Sequence, residues 1–334
     1  MPVRIGVIGV GLMGAEHARL LSREVSGSEV TTVSDADPVR AAEVAAACGA
    51  LVQDDPMVLI KDHQVDAVVV ASSDRTHEQF VLAALAAAKP VLCEKPLAPD
   101  PAACVRILDA EVELGRRLVS VGFMRRHDAG YLVMKDTVDT DRIGRPLMMH
   151  CTHRNAGVVP GLASSLLISG SAVHEIDIAR WLLDEELVAV TVHKPRRCAT
   201  ATGARDPLFL VFESASGVLV DVEVFANARY GYDVRCELVA DRGTVSLDAP
   251  PPTVLRATGS VARGVPADWR PRFAEAYRRE LQDWVAGIES GDPARAASAW
   301  DGYVATEVAD ATIRALETEE RQVITLRDRP DLYR

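Results

Sequence analysis

This 334-residue chain has no excess of positive charge, no long apolar run and no clustered cysteines. Each absence argues against a class of protein. Lysine and arginine number 37 against 48 aspartates and glutamates, a formal charge of −11, and the isoelectric point is near 5.3. A nucleic-acid footprint needs a basic face, so no nucleic-acid partner is expected. No apolar stretch is long enough for a membrane-spanning helix. The six cysteines, at 48, 93, 104, 151, 198 and 236, form no C-x-x-C pair. Their spacing offers neither a zinc site nor a disulfide framework, and no metal is expected. The N-terminal residues lack the basic-then-apolar pattern of a secretion signal, so the expectation is a cytoplasmic protein with reduced thiols. Apolar residues make up 48% and charged residues 25%, an ordinary globular composition, and the length calls for two domains.

What is present starts at residue 9. Gly9-Val10-Gly11-Leu12-Met13-Gly14 follows the apolar run Ile5–Ile8, and Asp35 lies 21 positions beyond Gly14. A G-x-G-x-x-G turn between strand and helix permits a tight turn, close approach of a pyrophosphate, and close helix packing. The helix then presents unpaired N–H groups to the phosphates. Asp35 closes the second strand, where an acidic side chain accepts the adenosine ribose hydroxyls and repels a 2′-phosphate. The stretch Ser34-Asp35-Ala36-Asp37-Pro38 is acidic without an adjacent base, so NAD is favoured over NADP. The alternative for Asp35 is a solvated cap on the next helix.

From residue 3 to 122 short apolar runs alternate with helical stretches. Strands are expected at 3–8, 30–34, 66–71, 90–93 and 118–122, and helices at 13–23, 38–48, 76–88 and 101–115. That alternation implies a doubly wound parallel sheet. The carboxyl end of the third strand, Ser72-Ser73-Asp74, should border the ligand crevice. After Gly122 a helix is expected at 128–138, a strand at Pro146–Arg154, a loop near 157–171 and a helix at 172–183. Strands near 187–194, 207–214, 217–226, 232–239 and 243–247 read as a largely antiparallel sheet with one face left for packing. Ala249-Pro250-Pro251-Pro252 and 264–271 read as loops, followed by helices at 271–289 and 295–317 and a last strand at 322–326.

Two sites carry chemistry. Glu94-Lys95-Pro96 leaves the fourth strand at the end where cofactor and substrate should meet. A lysine ammonium there can donate to a substrate oxygen and serve as an acid/base group. In the second domain, 173–182 reads as an amphipathic helix with His174, Asp177 and Ile178 on one face. His174 is either a satisfied structural histidine or a proton relay. His17 and His77 are expected on the helices of the first domain, His77 near the nicotinamide. Trp181 and Trp284 are expected in the core or an interface.

Together the Gly9–Gly14 turn, Asp35, Glu94-Lys95-Pro96, Val121-Gly122-Phe123-Met124-Arg125-Arg126 and His174-Glu175-Ile176-Asp177 resemble the Gfo/Idh/MocA oxidoreductases over nearly the whole chain. Asp128, Tyr131, His150–Asn155 and Trp269–Tyr277 place the resemblance with the branch that acts on inositols. It implies an NAD-binding Rossmann domain at 1–122 and an α/β domain at 123–334 for substrate binding and oligomerisation, whose open, mostly antiparallel sheet builds a homo-tetramer or a homo-dimer. The implied activity is hydride transfer between a cyclitol hydroxyl and NAD. Carried over by position, Lys95 and His174 are catalytic, and Lys95, Arg126, His153, Asn155, Gly170, His174 and Tyr232 touch substrate. Gly9, Gly11, Leu12, Met13, Gly14, Asp35, Ser72, Ser73, His77, Glu94 and Lys95 hold the cofactor.

One departure stands out. The family usually carries an aspartate one helical turn before the histidine, and here that position is Gly170, in Ser169-Gly170-Ser171. A slow inositol dehydrogenase, an enzyme remodelled for another cyclitol or an aminocyclitol, and an NAD- or sugar-binding regulator all remain open. So does the reverse reaction, reduction of a keto-cyclitol or sugar ketone in a biosynthetic pathway.

Overall fold

The computed structural model describes residues 1–158, 161–201, 203, 205–247, 254–292 and 296–334. Contacts divide the chain into two compact units, Met1–His127 with Glu275–Thr306 and Arg327–Arg334, and Asp128–Ala274 with Glu307–Leu326. The chain therefore crosses between units four times, where a single division after Gly122 would need one crossing.

The first unit is a doubly wound sheet. Its elements run β1 (Val3–Ile8), α1 (Leu12–Arg23), β2 (Ser28–Ser34), α2 (Pro38–Cys48), β3 (Leu51–Val52), α3 (Pro56–Lys61), β4 (Ala67–Val70), α4 (Asp74–Ala86), β5 (Val91–Glu94), α5 (Pro101–Leu114) and β6 (Val119–Gly122). The strand order β6-β5-β4-β1-β2-β3 is parallel throughout, and Ala297–Ser298 adds an antiparallel edge to β6. Every residue of β4, β5 and β6 is buried, as strands covered on both faces must be. Side chains set the helix boundaries: Asp37 and Asp100 cap α2 and α5 ahead of Pro38 and Pro101, and Gly49 and Gly115 end them in the left-handed conformation. β3 and α3 escape the sequence pattern because they are short, although Asp55-Pro56 caps α3 in the same way.

Strand order reverses between β1 and β4, which fixes the crevice at their carboxyl ends. Gly14 lets α1 settle there, since a Cβ on it would stand 1.8 Å from the Gly9 carbonyl oxygen. Gly14→Ala will therefore destabilise the protein by about 1–3 kcal/mol through overpacking and weaken NADH binding. Thermal melts with and without NADH check this, and an unchanged melting temperature contradicts it.

The second unit begins with α6 (Ala129–Asp139) and β7 (Pro146–Arg154), continues through α7 (Ser164–Leu167), the π-helical turn Ile168–Ala172 and α8 (Val173–Leu183), and then forms β8 (Leu187–His193), β9 (Leu208–Ser214), β10 (Leu219–Phe225), β11 (Asp233–Ala240) and β12 (Gly243–Leu247). An exposed hairpin, β13 (Val254–Ala257) with β14 (Ser260–Arg263), precedes α9 (Trp269–Ser290) and α10 (Ala299–Thr318). The sheet order is β12-β11-β7-β10-β9-β8, closed by Gln322–Val323. All pairs are antiparallel except β7 with β10. Leu208, Leu210 and Phe212 point into the buried side of β9 while Phe209, Val211 and Glu213 stay partly exposed, so one face is packed and one open.

Three expectations change. Ser164–Ala172 is helical rather than loop, because Leu167, Ile168 and Ala172 are buried there and outweigh the turn-like serines and glycine. α9 starts at Trp269 rather than 271, with Pro271 in its first turn, where a missing N–H costs nothing. The last strand covers only Gln322–Val323. The proline run at 250–252 lies outside the described residues.

Candidate active site

In the first unit the β1–α1 turn, the end of β2 and the end of β4 enclose a cavity of about 450 Å³ lined by Gly9, Gly11, Asp35, Arg40, Ser72 and Ser73, among others. Gly9 has φ +81°, and a Cβ on it would lie 2.4 Å from the Ser72 Cα, so glycine alone lets the two strand ends approach. A Cβ on Gly11 would meet only the Arg40 guanidinium, at 3.9 Å. The turn thus leaves an open cradle. No side chain caps α1 at Gly11, which leaves the first-turn N–H groups of Leu12, Met13 and Gly14 to a phosphate. Asp35 is fixed by the backbone N–H groups of Val10 at 2.7 Å and Asp37 at 2.8 Å. These residues fit a dinucleotide.

The expectation of no neighbouring base fails in space. Arg40, in the first turn of α2, places Nη1 3.6 Å from Asp35 and Nη2 3.3 Å from Asp37. Helix geometry brings it back to the strand end, which adjacency in sequence does not show.

Beside the cradle, buried His77 on α4 has Nδ1 2.8 Å from the Pro96 carbonyl and Nε2 3.1 Å from the Ser72 carbonyl. It ties the end of β4 to the Glu94-Lys95-Pro96 turn, whose Lys95–Pro96 bond is cis. The buried Glu94 carboxylate lies 2.8 Å from His17 Nε2 and accepts from the Lys95 backbone N–H at 3.2 Å. Burial pushes the Glu94 carboxyl up, but the hydrogen bond and charge of His17, joined by Lys95, outweigh it and hold it below the ordinary carboxylate range. His17, which no sequence signal marked as more than a helix residue, packs edge-on against Tyr277 at 5.9 Å. Lys95 itself is half-buried at the end of β5. Arg126, in the turn after β6, pairs with Asp301 at 3.1 Å. Trp284 is buried in this unit.

The second unit gathers a different set. His153 on β7 has Nδ1 3.0 Å from the Glu175 carboxylate on α8, both side chains being almost wholly buried. Tyr232, just before β11, meets His153 edge-on at 5.8 Å and Phe273 at 6.2 Å. The backbone N–H of Asn155 donates to Phe225 at 3.0 Å. Residues 173–180 are buried on every face, so α8 is not amphipathic there. Its polar side chains sit inside because they are paired, as Glu175 is with His153. Glu175 was hidden in the sequence by reading the helix as half-solvated. His174 is buried beside Glu175, and the π turn that runs into α8 carries Gly170, whose absent Cβ would meet nothing within 4 Å. Trp181 is partly exposed, with the Lys135 ammonium 5.9 Å from its ring. Among the described residues no cluster of His, Cys, Asp or Glu is arranged to hold a metal ion, and no helix is long and apolar enough to cross a membrane.

A doubly wound sheet with a glycine turn leading into α1 and an acidic residue closing β2 defines a dinucleotide-binding protein of the Rossmann class. Residues 3–123 match the Gfo/Idh/MocA oxidoreductase family, NAD-binding Rossmann fold, and residues 131–246 match the family's C-terminal domain. Inositol 2-dehydrogenase 2 of Saccharopolyspora erythraea is 54% identical, over 100% of this chain and 98% of the relative. Inositol 2-dehydrogenase of Streptomyces avermitilis is 48% identical, over 98% and 96%. The structure of myo-inositol dehydrogenase from Lactobacillus casei in complex with NAD(H) and myo-inositol matches with TM-score 0.96 and 34% identity, over 100% of both chains. The chain belongs to the Gfo/Idh/MocA oxidoreductase family.

Proposed function

We propose that this protein oxidises a secondary hydroxyl of an inositol-like cyclitol with NAD as hydride acceptor, using Lys95 and His174 as its acid/base groups. The observation that carries the reading is Lys95 standing at the end of β5, in the same unit as the dinucleotide cradle and, like it, at the carboxyl ends of the parallel strands. Held in the cradle by the β1–α1 turn and Asp35, NAD would supply the acceptor for the hydride of the carbinol carbon. The Lys95 ammonium holds the substrate oxygen and supports its charge as the carbonyl forms, and His174 receives the hydroxyl proton. Glu94 braces the turn that carries Lys95, and His77 fixes that turn to the end of β4. Arg126, His153, Asn155, Gly170 and Tyr232 form the substrate contacts, with Glu175 orienting His153 through Nδ1.

The open face of the second unit's sheet, with Met148, His150 and Phe209 on it, supports assembly of a homo-tetramer. Six free cysteines fit a reducing, cytoplasmic setting. The test is NADH formation from NAD with myo-, scyllo- and D-chiro-inositol and glucose. Selective turnover of one cyclitol is expected. NADH binding without turnover of any polyol overturns the reading in favour of a regulator.

A further inference from the structure

We propose that Arg40 gives the adenosine end of the pocket a second cofactor, NADP, bound more weakly than NAD. The inference rests on the dinucleotide reading of the cradle.

Asp35 stands where a carboxylate meets the ribose hydroxyls, and alone it would repel a 2′-phosphate. Here its charge is spread. Its two oxygens already accept the backbone N–H groups of Val10 and Asp37 at 2.7 and 2.8 Å. Arg40 adds a cation to the same wall, and it is the one cation among the described residues lining the cavity. Its guanidinium is half-exposed. Its hydrogen bond to Asp37 is long, at 3.3 Å, and its 3.6 Å separation from Asp35 exceeds hydrogen-bond range. A guanidinium has five N–H donors in a fixed fork suited to phosphate, so Arg40 keeps donors for a 2′-phosphate while partly neutralising the carboxylates on either side. Asp35, Asp37 and Asp54 stay acidic neighbours, which keeps NAD preferred. Arg40 thus sets how much preference there is.

Titration of NADPH and NADH into the wild type, Arg40→Ala and Arg40→Lys tests this directly as binding. The expected result is measurable NADPH binding to the wild type. Arg40→Ala weakens NADPH by about 10- to 100-fold, the range for losing a charge-assisted hydrogen bond, and changes NADH far less. Arg40→Lys recovers part of the loss, since lysine keeps the charge without the fork. Equal weakening of both cofactors by Arg40→Ala, unchanged NADPH affinity, or no NADPH binding to a wild type that binds NADH overturns the role of Arg40. A wild type that binds neither cofactor overturns the cradle as well.

Discussion

Lys95→Ala lowers kcat for the cyclitol by about 10²–10⁴-fold, the range for removing a positioned acid/base group, and weakens NADH binding by a far smaller factor. The split follows from the geometry. The cradle is built from the β1–α1 turn, Asp35 and the end of β4, none of which depends on the Lys95 side chain. The turn that carries Lys95 is held by others, through Glu94 with His17 and through His77 with the Pro96 carbonyl. Truncating the ammonium therefore removes chemistry without collapsing the site. Steady-state rates paired with NADH titration check the point. A variant with intact kcat removes Lys95 from the mechanism, and one that loses NADH binding and kcat together makes Lys95 a structural residue.

Gly170→Asp raises kcat for myo-inositol by about 10-fold or more. Two observations license the substitution: a Cβ at 170 meets nothing within 4 Å, and the residue lies in the π turn leading into α8, a distortion often found at functional sites. A carboxylate one turn before His174 favours a protonated imidazole and so strengthens it as the acceptor of the hydroxyl proton. The acidic limb of the rate profile moves to higher pH in the variant, because more alkali is needed to free the base. Rates over pH for both proteins decide the matter. A fall in myo-inositol turnover means that the space beside Gly170 is used by the natural substrate, and the enzyme is then built for a different cyclitol.

The first unit was largely legible because its signals are local. A strand covered on both faces must be apolar throughout, and glycines mark the turn. That Lys95 stands at the carboxyl end of a buried strand follows from the same alternation; the strand order does not. The pairings that hold the site in shape were not legible. Arg40 reaches Asp35 only once α2 has formed, and Glu175 finds His153 across 22 positions of chain. His17 meets Glu94 across 77. The π turn was misread for a related reason: serine and glycine mark loops by composition, while burial of Leu167 and Ile168 decides the backbone. Alternation in β9 to β11 showed an open sheet, but the parallel join of β7 to β10 is a matter of topology that periodicity does not encode.

The way the chain threads its two units has a consequence for synthesis. The cofactor-binding unit is begun first and completed last. Its sheet edge at β6 awaits Ala297–Ser298, and the buried Glu111 carboxylate, held by the N–H groups of Leu118 and Val119, awaits the Tyr333 hydroxyl. Roughly 200 residues separate His127 from Tyr333, which at about 5–20 residues per second is on the order of 10–40 s on the ribosome. Through that interval β1 to β6 carry an unfinished edge, while the intervening chain of the second unit emerges. A lesion near residue 330, remote in sequence from every glycine of the cradle, falls on the unit that holds the dinucleotide.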